Sequence, residues 1–214
     1  MDDLRAQLRA LRAPTPDPQT FDTDAAPADP IDLFRAWLAS AIAAGVDQPH
    51  AMVLATASAD GTPNARTLLL KDVTDEGLWF ASLSTSPKGR ELAENPRCAL
   101  TLYWREQGRQ VRVAGIAEPG PREASVRDFL ARHPSARAGA IAGAQSEPMV
   151  DAEAALAAAR HVVASDEAYV PADWHAYLVR PESVEFWQST PDHEQVRLRY
   201  RRENDDWNRQ VIWP

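Results

Sequence analysis

The 214-residue chain has one cysteine, Cys98, so it forms no intrachain disulfide, which fits a reducing compartment. It has no apolar run near the ~20 residues that span a bilayer. Its first residues, MDDLRAQLRALR, are charged and lack the apolar segment of a secretory signal, so a cytoplasmic location is expected, away from membranes. Positive charge is not in surplus. A net charge of −8 and a pI near 5.1 argue against broad nucleic-acid binding, which needs a basic footprint. A small anionic ligand remains open, because a few local Arg and Lys residues make a positive pocket on an acidic protein. Familiar catalytic signatures are missing: no GxGxxG after a strand, no P-loop, no HExxH and no GxSxG. The five histidines are scattered with no pair at metal-ligand spacing, so no metal site is expected. Cys98 lies in an apolar strand and reads as a small buried hydrophobe.

What is present divides into two stretches. Residues 1–29 read as an N-terminal segment with Leu4, Leu8 and Leu11 at helical spacing, followed by the Pro-, Asp- and Ala-rich linker APTPDPQTFDTDAAPADP. The leucine segment is either a short packing helix or a frayed tail. Residues 30–214 read as one domain. IDLFRAWLASAIAAGV places Leu33, Phe34, Trp37, Leu38, Ile42 and Val46 on one helical face, with Pro30 before it and Gly45 at its end. Strands follow: AMVLATAS, NARTLLLKDV and LWFASLS, joined by ADGTP and TDEG turns. SPKGRELAENP reads as a helix capped by Ser86, with Pro87 in its first turn. RCALTLYW and GRQVRVAGIAEP form a further hairpin. Three helical segments occupy the middle, and WHAYLVRP, SVEFWQ, VRLRYRR and DWNRQVIWP return to strand. Hairpin lengths without βαβ alternation predict a mainly antiparallel β-barrel with flanking α-helices.

Several polar residues stand out on this frame. Arg66 and Lys71 are five apart, so in a regular strand they face opposite sides; one ligand meets both only at a strand end, at a bend or along the edge. Lys88 sits in the first turn of its helix, where free N–H groups favour phosphate and a lysine is unfavourable for the dipole; the plainer reading is a solvated surface lysine. Gln110 stands in an apolar strand, and Gln145 and Ser146 follow AGAIAGA. Buried amides and hydroxyls need partners, which a flat heterocycle or a backbone neighbour can supply. In FWQSTPDHEQVRLRY, His193, Gln195 and Arg197 alternate beside Phe186 and Trp187.

The strings DPIDLFRAWL, AMVLATASADGTPNARTLLLK, SPKGRELAENPR, LYWREQGRQVRVAG, AGAQS, SVEFWQ and RLRYRRENDDW resemble, in order, the pyridoxine/pyridoxamine 5′-phosphate oxidase family from about residue 28 onward. The resemblance implies an FMN-binding split barrel and a homodimer with FMN at the subunit interface, formed in part by a C-terminal dimerisation region. It implies that Arg66, Ser82 and Lys88 hold the FMN phosphate and that Lys71 and Gln110 reach the flavin. Gln145, Ser146, Trp187 and Arg197 then come from the partner subunit. It implies Lys71, Arg132, His193 and Gln195 as the residues that meet the substrate.

This chain departs from the family pattern at several positions. Ala81-Ser82 replaces Tyr-Thr, and Pro87-Lys88 replaces Arg-Lys. On the substrate side Asp128 stands for a tyrosine, Ala136 for a serine, and His193-Glu194-Gln195 for Arg-x-His. The departures cluster on the substrate side. The expectation is therefore an FMN-dependent oxidase with an altered pocket, moving a hydride equivalent from a small reduced amine or heterocycle to FMN and then to O2. A genuine pyridoxine/pyridoxamine 5′-phosphate oxidase and a non-catalytic flavin-binding protein are the alternatives, and a deazaflavin could replace FMN.

Overall fold

A computed structural model describes residues 4–11, 21–143, 145–189 and 195–214. Two helices, α1 (Leu4–Ala10) and α2 (Pro30–Ala43), precede strands β1 (Ala51–Ala57), β2 (Pro63–Leu69), β3 (Asp72–Thr74) and β4 (Gly77–Leu83). Then come α3 (Pro87–Glu94), β5 (Arg97–Trp104), β6 (Arg109–Pro119), α4 (Arg122–Leu130), α5 (Pro134–Ala142) and α6 (Ala152–Ser165). The chain ends with β7 (Trp174–Ser189), β8 (Gln195–Glu203) and β9 (Asp206–Val211). It divides into two compact units: residues 1–49, 102–112 and 184–214 form one, and residues 50–101 and 113–183 the other.

The sheet has the strand order β2-β1-β5-β6-β7-β4-β3. β1 pairs antiparallel with β2, Leu54 opposite Arg66, and with β5, Leu54 opposite Leu100. β4 pairs antiparallel with β7, Ser82 opposite His175. Alternation then sorts the side chains: Met52, Leu54, Leu78, Phe80 and Leu100 are all at most 1% exposed. Phe80 stacks on Tyr177 at 5.1 Å, adding to the area that both rings withdraw from water. Cys98 is buried here, and burial pushes its thiol up to about 12. Leu83, Phe129 and Trp174 form a separate apolar cluster, and Ala138, Ala159 and Val163 pack α5 on α6. Gly77 adopts φ +148°, and a Cβ there would stand 2.0 Å from the Val179 carbonyl oxygen, so the β3–β4 turn requires glycine.

The first unit has an aromatic core. Trp37 meets Phe21 at 4.9 Å and Phe186 at 5.2 Å, both edge-on, and Phe186 meets Tyr200 at 5.8 Å. The Arg109 guanidinium lies 4.7 Å from the Trp37 ring and its Nε donates to Gln188. α2 starts at Pro30 itself, which was expected to precede the helix: Pro30 fills the first turn and Asp29 caps it, accepting from the Ile31 N–H. Gly45, at φ +70°, ends it. Ile42 does not join the buried face; it is 61% exposed while Ala41 is fully buried, because the stripe drifts along a 3.6-residue period. α1 forms but buries nothing, with Leu4, Leu8 and Leu11 all more than half exposed.

WHAYLVRP and SVEFWQ are one 16-residue strand, β7, not two. Pro181 reads as a break because it lacks an N–H, yet its φ suits an extended chain and the strand continues through it. NARTLLLKDV, conversely, is two strands: β2 stops at Leu69 and β3 starts at Asp72. Among the described residues, no helix is long and apolar enough to cross a membrane.

Candidate active site

The second unit gathers most of the expected site residues. Arg66 stands on β2 opposite Leu54, and its guanidinium is held from three sides. Nη1 donates to Thr56 Oγ1 at 2.6 Å and to the Leu54 carbonyl at 3.3 Å, and Nη2 lies 3.4 Å from Glu91 Oε2. Glu91, on α3, also accepts from the Thr56 hydroxyl and from Asn64 Nδ2, the latter at 2.6 Å. Such a framework fixes the direction of a planar cation. The sequence pattern did not single out Thr56, Asn64 or Glu91.

Lys88 is not the solvated surface lysine that its helix position suggested. It is 4% exposed, in the first turn of α3 after the Ser86 cap. Its Nζ donates to Ser82 Oγ at 3.1 Å, Ser86 Oγ at 3.2 Å and Gln145 Oε1 at 2.6 Å. All three partners are neutral. Burial lowers its pKa from 10.5 to about 8; the nearby Arg66 charge adds to the drop and Glu91 opposes it. A buried ammonium with neutral partners and a second cation nearby is a site short of negative charge, which an anion restores. Gln145, expected to serve a partner subunit, here meets the Lys88 of its own chain. Ser146 follows it, exposed, at φ +73°.

Beside this cation pair lies a cavity of about 790 Å³, lined in part by Lys71, Ser82, Arg132, Ala136, Gln145 and Trp174. A smaller one of about 330 Å³ shares Lys71, Ala81 and Arg132 with it and adds Asp128. Arg66 and Lys71 do not share one regular strand, because β2 ends at Leu69 between them; Lys71 lines both cavities and Arg66 lines neither. The Leu70 N–H bonds to the His50 carbonyl and that of Lys71 to Trp79, so the chain bends there. Lys71 Nζ lies 3.8 Å from Asp128 Oδ1, and Asp128 Oδ2 accepts from the Trp174 indole at 3.0 Å. Arg132 stacks over Trp174 at 4.6 Å, and its buried Nε has no hydrogen-bond partner among the described residues.

The remaining expected residues belong to the first unit. Gln110 is half-buried on β6. The Trp187 indole donates to Gln195 Oε1 at 2.9 Å, and the buried Nε of Arg197 has no hydrogen-bond partner among the described residues. His193 lies outside the described residues. The sequence carries one further signal: of the 23 Lys and Arg residues only Lys71 and Lys88 are lysines, and both are in this site.

The donor set fits FMN. Arg66, Lys88, Ser82 and Ser86 suit a phosphate, and the cavity has the volume of a small-molecule site with mixed apolar and amide lining.

Comparison with known proteins agrees. Residues 38–188 match the family model described as pyridoxamine 5′-phosphate oxidase, and residues 174–214 match the one described as the pyridoxine 5′-phosphate oxidase C-terminal dimerisation region. The chain is 42% identical over 193 residues to the pyridoxine/pyridoxamine 5′-phosphate oxidase of Salinibacter ruber, covering 87% of this chain and 89% of that protein. It is 43% identical over 211 residues to the protein of the same name from a Nocardioides species, covering 97% and 98%.

Among solved structures, PhzG from Burkholderia lata 383, in complex with tetrahydrophenazine-1-carboxylic acid, superposes with a TM-score of 0.86 at 34% identity, covering 94% of this chain and all of that one. An FMN-binding, pyridoxamine 5′-phosphate oxidase-related protein from Nostoc punctiforme, at TM-score 0.72, 19% identity and coverage of 85% and 97%, shares the fold. The chain therefore belongs to the pyridoxamine 5′-phosphate oxidase family and is an FMN-dependent oxidoreductase with that family's split-barrel fold.

Proposed function

We propose that the chain is an FMN-dependent oxidase of pyridoxine or pyridoxamine 5′-phosphate, working as a homodimer with FMN at the subunit interface and O2 as acceptor. The carrying observation is that Lys71 and Arg132 line one cavity beside the Arg66–Lys88 pair. The Arg66–Lys88 pair suits the cofactor phosphate, and Lys71 with Arg132 suits an anionic group on the substrate. Identities of 42–43% to proteins named for this reaction support it ahead of the altered-pocket reading.

FMN, when bound, supplies the acceptor for the hydride equivalent and passes the electrons on to O2. The chain's own residues bind and orient. Arg66, Ser82 and Lys88 would hold the cofactor phosphate, with Gln145 and Ser146 beside it. Gln110 would meet the flavin, with Trp187 and Arg197 contributed across the dimer. Lys71 and Arg132 would place the substrate, and His193 and Gln195 would cover it. The test is incubation of the FMN-loaded protein with pyridoxine 5′-phosphate in air. Pyridoxal 5′-phosphate and hydrogen peroxide are expected in equal amounts, and no pyridoxal 5′-phosphate after long incubation would sink the reading.

A second reading rests on Asp128. A carboxylate 3.8 Å from Lys71 opposes a dianion and suits a reduced heterocycle without phosphate. The likeness to PhzG supports this reading. Faster FMN reduction by a dihydrophenazine carboxylate than by pyridoxine 5′-phosphate would favour it.

A further inference from the structure

The cation pair of the substrate cavity is not free to act as two positive charges. Lys71 is matched by Asp128, whose side chain is 13% exposed and whose other oxygen is fixed by the Trp174 indole. Arg132 is fixed on the same indole ring by stacking. Trp174 thus ties both charge carriers together: its N–H holds the acid and its face holds the guanidinium. The charged residues of the smaller cavity are Lys71, Asp72, Arg127, Asp128 and Arg132, a net of +1; those of the larger are Lys71, Arg132 and Glu147, again +1.

We propose that Asp128 is a specificity-determining residue that sets the charge accepted in the smaller cavity, where it stands with Lys71 and Arg132, favouring a monoanionic group such as a carboxylate over a dianionic phosphate. This rests on the reading that Lys71 and Arg132 face the substrate. It acts through position as well as charge: Asp128 holds the Lys71 ammonium on its own side, so an incoming anion competes with a carboxylate that cannot leave. A group near −1 balances a +1 site, whereas a phosphate of −1.5 to −2 leaves unbalanced charge at low dielectric.

Asp128→Asn separates charge from shape. The amide oxygen still accepts from Trp174, while the negative charge is gone. The FMN-loaded dimer is titrated with two non-reacting ligands at a pH where phosphate is dianionic: 4-deoxypyridoxine 5′-phosphate and phenazine-1-carboxylate. Flavin absorbance and fluorescence report binding without turnover. The substitution is expected to tighten the phosphate ligand roughly tenfold and the carboxylate ligand by clearly less, so that their affinity ratio shifts. Asp128→Glu, which keeps the charge, is expected to leave that ratio near the wild-type value.

An unchanged ratio in Asp128→Asn overturns the proposal, because a purely structural acid would weaken or preserve both ligands alike. Binding of neither ligand to either form overturns both this proposal and the substrate role of the cavity. A shifted ratio with no turnover of pyridoxine 5′-phosphate supports Asp128 as the determinant while refuting that particular substrate.

Discussion

Replacing Lys88 by methionine is expected to stabilise the cofactor-free protein while weakening its hold on FMN. In the folded chain Lys88 titrates at about 8 and not 10.5, first because it is buried, then because Arg66 is near, with Glu91 acting against both. A depressed lysine pKa means that the folded chain holds the proton less tightly than the unfolded one. Between pH 8 and pH 10.5 the unfolded chain binds more protons, so stability rises with pH across that window. Below pH 8 both states are protonated and the whole cost is present. The gap corresponds to about 3 kcal/mol at ~1.4 kcal/mol per unit, and solvent screening reduces it to about 1–2 kcal/mol.

Methionine fills a similar volume without the charge. The apo variant is therefore expected to melt a few degrees higher at neutral pH, about 2–4 °C per kcal/mol for a chain of this size. The same change removes a charge-assisted contact to phosphate worth about 1.5–3 kcal/mol, so FMN binding weakens by about 10- to 100-fold. Wild-type affinity is expected to fall above pH 8, as Lys88 loses its proton, and the variant's to stay flat there. Thermal denaturation of the apo protein and flavin-fluorescence titration across about pH 7 to 9.5 read both effects. A variant with a lower melting temperature and unchanged FMN affinity would refute the reasoning.

Two further substitutions probe the same corner of the fold. Glu91→Gln removes the carboxylate that supports the Lys88 charge, so the break in the FMN affinity profile is expected to move to lower pH; an unmoved break would show that the two groups are uncoupled. Gly89→Ala places a Cβ 2.3 Å from the Ser84 carbonyl oxygen and 2.6 Å from that of Leu83, both backbone. A loss of about 1–3 kcal/mol is expected in urea denaturation, and no loss would mean that α3 shifts freely.

The fold is legible in the sequence where one short segment carries the whole cause. Ser86 and Pro87 start α3 as expected, because capping is settled within a few residues, and Pro30 marks the start of α2, although its cap Asp29 was not singled out. Where the cause is distant, the pattern was silent. The burial of Lys88 depends on Ser82, six residues back, and Gln145, 57 residues on. Asp128 was flagged by its position, but its two partners, Lys71 and Trp174, come from a bend and from a strand 46 residues away. Pro181 misled because a missing N–H counts against a strand locally, whereas the sheet around β7 tolerates it. Glu91 escaped notice because a glutamate on a short helix looks solvated until Thr56, Asn64 and Arg66 are placed around it.

The three bonds of Lys88 have a kinetic meaning. An ammonium has three N–H donors, and here they point to Ser82, Ser86 and Gln145. Any phosphate that claims this lysine must take over a bond already made, and the Gln145 amide, on the loop after α5, is the partner not anchored in a strand or a helix cap. Loading the cofactor is then an exchange and not an addition. Its rate follows how often the Gln145 amide gives up the ammonium, so a stronger bond there means slower loading.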